Sequence, residues 1–546
     1  MKIMLVVPTH GYTSVPSPLL SVSDFPTGLA YIAGALKQAG HEVIGVNPNN
    51  APNGTEAYYL LTNKFFAALE KAKPDLIGLG GICTDYPFLR DAMNLLRKLS
   101  PETPVVLGGG IISHDREFIF NLLQPDFGLV GEAEETMVQL TDTIAKGLTD
   151  FSHIPNLSYW EKGHPVFNPR DTRMGDVNAR PMPDYEPFNV QDMVDNYSLA
   201  TRLLYRYSRT HPRPFPLVTA RGCPFNCTFC IHRGNQVYRP LSMAKVMEEI
   251  RVFYDRYKFN IAIIVDELFA LDRDRMQDFC YGILEGRVKH GWDFDWMFQT
   301  HAKANLDYDT LKLAKEAGCI FFSYGIESAS PTVLESMNKK ATPDQFIEAI
   351  RLADEVGIAF GGNLIFGDVA ETQLTIYESL DFFFKHCSTA SVFLGLLTPF
   401  PGNKLFDTCL ERGIIKDKSE YYANIGQGVF NMTSMPDSEW QHWVNFLILL
   451  ERSWLWVKDT TALYVEKEEY SDPVVQHYNA DMYRIRAVCP YCHQEITYRE
   501  MIGRHQESWP LFLGLNCHLC NKRIRINLDS RLLGRQPALE MMETMA

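Results

Sequence analysis

The feature that most constrains this chain is a set of short apolar runs that recurs between residues 206 and 415. "PLVTARG", "IAIIVDE", "DWMFQTH", "CIFFSYGIES", "IAFGGNLIFG" and "ASVFLGLLTPF" read as strands, and stretches such as "SMAKVMEEIRVFYDRY" and "TPDQFIEAIRLADEVG" between them place apolar residues at helical spacing. Six strand-helix units in series predict a parallel barrel or most of one, with its chemistry at the carboxyl ends of the strands. The first 150 residues repeat the alternation in "KIMLVVP", "EVIGVNP", "PDLIGLGG", "TPVVLGGG" and "FGLVGEAEET". That pattern predicts a doubly wound α/β sheet whose ligands lie beyond the strand ends. Glycines gather at those ends, as Gly80 and Gly81, then Gly108, Gly109 and Gly110, where a missing side chain lets backbone approach a flat ligand. No GxGxxG follows the first strand, so a dinucleotide fingerprint is lacking. The expected organisation is a sheet domain over 1–150, a Pro- and Asn-rich linker over 151–205, the barrel over 206–415, a helical segment over 416–483 and a small module over 484–535.

Most of the twelve cysteines fall in two clusters, which favours metal binding over a disulfide framework. "ARGCPFNCTFCIHRG" puts Cys223, Cys227 and Cys230 just after the first barrel strand. A closed zinc site takes four ligands, whereas three thiolates on an iron-sulfur cube leave one iron open. A zinc or redox site is the alternative. Near the end, "VCPYCHQ" and "NCHLCNK" carry Cys489, Cys492, Cys517 and Cys520 as two CxxC knuckles 24 residues apart. These predict a zinc ribbon, with an auxiliary iron-sulfur cluster or a rubredoxin-type iron as rivals for the same ligands. Cys83, Cys280, Cys319, Cys387 and Cys409 are expected as buried small hydrophobes. Between Arg484 and Arg535 nine Lys/Arg face four Asp/Glu, either a solvated basic face or a dock for an anionic carrier, nucleic acid or another protein. The net charge of -14 argues against a chain that wraps nucleic acid along its length. The apolar run after Lys2 ends at Pro8 without a cleavage pattern, and "FLILL" is too short to span a bilayer. A cytoplasmic protein with no membrane span is expected.

Over roughly residues 1 to 410 these motifs resemble the radical S-adenosylmethionine (radical SAM) superfamily, on the CxxxCxxC at the start of a six-unit half-open barrel. "FPTGLAYIAGALKQAGHEV" and "GLVGEAEET" are similar to the cobalamin-binding domain of the branch that holds radical methylases and the anaerobic magnesium-protoporphyrin ester cyclase. The resemblance implies that Cys223, Cys227 and Cys230 hold a 4Fe-4S cluster whose open iron chelates S-adenosylmethionine, and that one electron splits the sulfonium to a 5′-deoxyadenosyl radical. It implies Phe229 near the adenine, Asp266 and Glu267 as receivers of the methionyl ammonium, Gln299 and Glu327 at ribose and carboxylate, and Gly362 and Asn363 beside the adenosine. His301, Lys303 and Ser328 lie in the same segments. Structural networking inside the barrel is the rival role for Gln299, His301, Lys303, Glu327 and Ser328. Asp368 stands where the family often has proline. The DxHxxG motif of other cobalamin proteins is absent, so what faces cobalt is open among Cys83, Thr84 and His10, each of which has a plain loop-packing alternative. The implied partners are a small-molecule or carrier-bound substrate and a reducing donor such as flavodoxin or ferredoxin. The implied activity is methylation of an unactivated carbon, with cyclisation or rearrangement as one alternative and a metal-stabilised scaffold as another.

Overall fold

A computed structural model describes residues 1–9, 25–49, 64–171, 175–195, 209, 211–231, 237–269, 271, 273–304, 306–425, 428–468, 480–504 and 512–527. His10 lies outside the described residues. The chain forms two compact units, Met1–Ser198 with Pro399–Val429, and Leu199–Thr398 with Phe430–Ala546.

In the first unit the strands are β1 (Lys2–Val6), β2 (Glu42–Val46), β3 (Leu76–Gly80), β4 (Val105–Gly108), β5 (Phe127–Leu129), β6 (Leu157–Glu161) and β7 (His164–Phe167). They make one sheet in the order β2-β1-β3-β4-β5-β6-β7, parallel from β2 through β5. Ile3, Met4, Leu5 and Val6 are all buried, as expected of a parallel strand covered on both faces. The order reverses between β1 and β3, the switch point where open α/β sheets bind ligands.

The sequence reading of a bare linker over 151–205 missed the antiparallel hairpin β6–β7, which extends the sheet beyond β5. Its two-residue turn, Lys162-Gly163, has φ of 51° and 81°, positive at both positions as a type I′ turn requires. Arg116 fastens the hairpin, its guanidinium donating to Leu157 O at 2.6 Å, Asn168 O at 2.8 Å and Ser158 Oγ at 2.8 Å. Residues 399–429 also pack in this unit, where Tyr422 stacks on Phe118 at 5.7 Å and Lys418 pairs with Asp115 at 2.6 Å.

The second unit is built on β8 (Pro214–Leu217), β11 (Ile261–Ile264), β12 (Asp295–Thr300), β13 (Cys319–Glu327), β14 (Ala359–Phe366) and β15 (Ser391–Leu396), with a two-residue ribbon of β9 (Ala220–Arg221) and β10 (Arg239–Pro240). The six long strands run parallel in the order β15-β14-β13-β12-β11-β8, and among the described residues no ladder joins β15 to β8. This is the expected half-open barrel. Buried rings of Phe269, Phe279, Trp296, Phe298 and Phe322 pack one sheet face beneath the helices. Alternate residues point to the other face. There Gln299 and Asn363 are exposed, as are Val265 at 44% and Phe393 at 43%, so the barrel interior is open.

Beyond the barrel, the helix Asp437–Ser453 leads to β16 (Asp459–Thr461), β17 (Tyr464–Lys467), β18 (Ala480–Val488), β19 (Glu495–Arg504), β20 (Phe512–Asn516) and β21 (Arg523–Asn527). These form two three-stranded sheets, β16-β21-β20 and β17-β18-β19. The module is seated on the loops that precede β14 and β15. Asn521 Nδ2 donates to Gly357 O at 2.7 Å, Arg523 N to Thr389 O at 2.8 Å and Tyr491 Oη to Ser388 O at 3.0 Å. It therefore sits at the amino ends of the barrel strands, the end opposite the mouth. No described helix is long and apolar enough to cross a membrane.

Candidate active site

The cysteine loop leaves β8 at the barrel mouth and is closed at its base by the antiparallel ribbon β9–β10. Gly222, at φ 83°, makes the left-handed turn that admits Cys223. Cys227 is buried, Cys223 and Cys230 are half-buried, and none of the three is in a disulfide. Burial pushes the Cys227 thiol up to about 11 and raises that of Cys223, while the positive charge of Lys339 acts in the opposite sense on both. A coordinated metal would hold these groups as thiolates. A thiol triplet facing a buried ammonium fits an anionic cluster.

The loop rests on the turn Ser336–Lys339. Thr228 N donates to Met337 O at 3.1 Å, and Asn338 Nδ2 donates to Asn226 O at 2.9 Å. Ser336 Oγ donates to Asp368 Oδ1 at 2.5 Å, which ties the turn to the loop after β14. Asp368, the departure from the family's proline, therefore has a structural use. Glu327 ends β13 at φ 64°, after a register shift against β14, and its Oε1 accepts from Lys339 Nζ at 3.0 Å. Such a φ is rare for glutamate and is held here by the ion pair.

The expected contact residues divide into two groups. Asp266 is buried and already engaged: it is 2% exposed, Thr219 N and Thr219 Oγ1 donate to its two oxygens at 2.7 and 2.6 Å, and burial raises its carboxyl to about 7. Gly362 is needed for packing, since a Cβ there would meet Tyr324 O at 2.9 Å and Ile326 Cδ1 at 2.8 Å. Glu267 remains at the mouth, accepting from Gly222 N at 3.2 Å beside Cys223. Gln299 Nε2 donates to Asp266 O at 3.2 Å from an otherwise exposed position, Asn363 is exposed on the interior face, and Phe229 is half-buried.

Sequence reasoning missed Lys339 and Phe225. "MNKK" reads as an ordinary solvated helix end, and nothing local marks its second-last lysine as buried. Phe225 stacks on His301 with ring centroids 3.9 Å apart, and burial with the nearby Lys339 lowers that imidazole to about 3, so it is neutral.

In the first unit, the glycines at the ends of β3 and β4 are not equivalent. Gly109, at φ 84°, faces the backbone of Gly81, and a Cβ would lie 2.5 Å from Gly81 O. A Cβ on Gly81 would lie 2.5 Å from Asp85 Oδ2, whose carboxylate accepts from Ile82 N. These two glycines build the loops. Gly80 and Gly108 face more open space, with nearest atoms at 3.4 and 4.0 Å, and leave a bare backbone ledge beside the switch point. A Cβ on Gly110 would meet Ile82 Cγ2 at 3.3 Å. Cys83 is 2% exposed, a packing residue, whereas Thr84 is exposed. A ledge without side chains fits a flat macrocycle.

In the C-terminal module Cys489, Cys492, Cys517 and Cys520 present four sulfurs within 4.8 Å of one another. The pairs Cys489–Cys520 and Cys492–Cys517 lie 3.8 and 3.9 Å apart. Tetrahedral metal-thiolate bonds of about 2.3 Å put sulfurs about 3.8 Å apart, far longer than a disulfide. The donor set fits one four-coordinate ion. The basic residues around it are largely engaged: Arg486 pairs with Glu495, Lys522 with Asp354, and Arg523 and Arg525 lie over Trp454 and Phe512.

The sequence pattern of the radical SAM superfamily matches residues 217–382, and that of the B12 binding domain matches residues 24–141. The chain therefore carries a radical SAM domain and a B12 binding domain. It is 27% identical over 421 residues to a protein named as an uncharacterized methyltransferase of Pyrococcus horikoshii, covering 76% of this chain and 84% of the relative. It is 25% identical over 416 residues to the anaerobic magnesium-protoporphyrin IX monomethyl ester cyclase of Rubrivivax gelatinosus, covering 72% and 68%. Among solved structures, the fold is similar to the radical SAM methyltransferase TsrM of Kitasatospora setae, with a TM-score of 0.58, 18% identity, and 76% and 77% of the two chains covered. It is also similar to the cobalamin-dependent radical SAM enzyme OxsB, with a TM-score of 0.56, 19% identity, and 80% and 58% covered.

Proposed function

We propose that this enzyme methylates an unactivated carbon of a small-molecule or carrier-bound substrate, using cobalamin and S-adenosylmethionine. The observation that carries this reading is the pairing, in one chain, of a side-chain-free ledge at the switch point of a B12-binding sheet with a cysteine triplet, outside any disulfide, at the mouth of a half-open barrel. Cys223, Cys227 and Cys230 would hold the 4Fe-4S cluster, while Glu267, Gln299, Glu327, Asn363 and Phe229 would line the S-adenosylmethionine site on the open interior face. Gly80, Gly81, Gly108, Gly109 and Gly110 would form the cobalamin loops, through Gly80 and Gly108 directly and through the other three as builders. When bound, the cluster supplies the electron that cleaves the sulfonium, and cobalamin supplies a carrier for the methyl group. A flavodoxin- or ferredoxin-type donor would deliver that electron. Cys489, Cys492, Cys517 and Cys520 would hold structural zinc, a reading supported by the closed four-thiolate set and by its seat at the far end of the barrel from the triplet.

Cyclisation without methyl transfer is the second reading, favoured by the similarity to the magnesium-protoporphyrin ester cyclase. The two differ in stoichiometry. Methyl transfer should yield S-adenosylhomocysteine together with 5′-deoxyadenosine in the anaerobically purified, reduced enzyme. 5′-Deoxyadenosine formed with substrate turnover but no S-adenosylhomocysteine would favour cyclisation, and the absence of both would reject the radical reading.

A further inference from the structure

Lys339 is an unusual residue in this barrel. Its side chain is 8% exposed, yet its ammonium has one hydrogen-bond partner among the described residues, Glu327 Oε1 at 3.0 Å. An ammonium has three donors, and leaving the others unmatched in a buried site costs more than the pair returns, because buried ion pairs are weak stabilisers in themselves. The charge faces the cysteine loop: it acts on Cys223, Cys227 and Cys230. It is also positioned with care. The preceding residues Met337 and Asn338 bond directly to the loop backbone, Ser336 is tied to Asp368, and a Cβ on Gly325 would lie 2.7 Å from Lys339 Nζ. A structural lysine would not need this seating, since a methionine would fill the same space without a buried charge.

We propose that Lys339 is a positioning residue for the cluster: a fixed positive charge, held by Glu327 and the Ser336–Lys339 turn, that stabilises the reduced cluster and so sets the potential at which it accepts its electron. This rests on the reading that Cys223, Cys227 and Cys230 hold that cluster. The physical basis is that reduction adds a negative charge, and net charge and hydrogen bonds near the sulfurs are established levers on cluster potential. Glu327 partly cancels the ammonium, so the two residues act with opposite signs. Proximity strengthens both effects, because the site is screened little by solvent.

The test is a redox titration followed by electron paramagnetic resonance on the full-length, anaerobically reconstituted protein without S-adenosylmethionine, with iron content measured in parallel. Lys339→Met should keep its iron and shift the midpoint to a lower potential, and Lys339→Arg should return it toward the wild-type value. Glu327→Gln should shift it upward. An unchanged midpoint in iron-loaded Lys339→Met overturns the proposal. Should that variant lose its iron, Glu327→Gln decides, and an unshifted midpoint there overturns it equally. A wild-type protein that binds no four-iron cluster would instead reject the cluster reading itself.

Discussion

Thr219 holds Asp266 from two directions, its amide and its hydroxyl donating to the two oxygens of one carboxylate at 2.7 and 2.6 Å. The clasp joins the end of β8, just before the cysteine loop, to the end of β11. Thr219→Val removes a hydroxyl donor to a buried, chargeable acceptor and should cost about 1.5–3 kcal/mol in urea unfolding. S-adenosylmethionine affinity, measured on cluster-loaded protein by calorimetry, should change little. A large loss of affinity at unchanged stability would return Asp266 to the role of ligand contact.

The cobalamin ledge can be tested by separating its glycines. Gly108→Ala places a methyl where the nearest atom is 4.0 Å away, so thermal unfolding should stay near wild type while retained cobalamin, read from its visible absorption, falls. Gly109→Ala must contend with both φ 84° and a contact of 2.5 Å, and should lose cobalamin together with stability. The cubane absorption should survive in both. Full cobalamin retention in Gly108→Ala would remove the ledge from the binding site.

Replacing Cys223, Cys227 and Cys230 together with alanine should abolish the cubane absorption and all reductive cleavage of S-adenosylmethionine. Persistent 5′-deoxyadenosine under dithionite would falsify the assignment of the triplet.

Elemental analysis should find about one zinc beside roughly four irons per chain. Cys517→Ala should loosen the module and the loops before β14 and β15 on which it sits, seen as faster hydrogen exchange there, because metal binding in such modules is coupled to folding. Iron at the triplet should remain. About eight irons without zinc would point to a second cluster.

Three carboxyls, Glu249, Asp266 and Glu371, are each raised to about 7, with burial the largest cause. A folded value above the unfolded one means that their stabilising effect is complete below about pH 4 and is lost as pH rises through about 7. Urea midpoints should therefore fall between pH 5 and pH 7.5, and Glu371→Gln should flatten that slope. An equal slope in the variant would mean that Glu371 titrates as an ordinary carboxyl.

Much of this protein is local in the chain and was therefore legible there. Strand and helix periodicity announced both parallel sheets, since each buried strand is a continuous apolar run. The cysteine spacings announced both cysteine clusters, because side chains on one tight loop must be close in sequence. The two-residue turn at Lys162-Gly163 was equally local, but its lysine concealed the hairpin that only positive φ at both positions makes evident. What depended on tertiary structure was the fate of polar groups brought together from distant segments. "VDELF" does not reveal that Thr219, 47 residues before Asp266, occupies its carboxylate. "MNKK" does not reveal that the turn it ends is pinned by Asp368 and seats the cysteine loop, or that its Lys339 is buried against Glu327. Gly109 and Gly81 look alike as open space in the sequence, yet each is required by a neighbouring backbone or side chain. Burial and partner choice are properties of packing between segments, and periodicity encodes which face is apolar but not which polar group will meet another there.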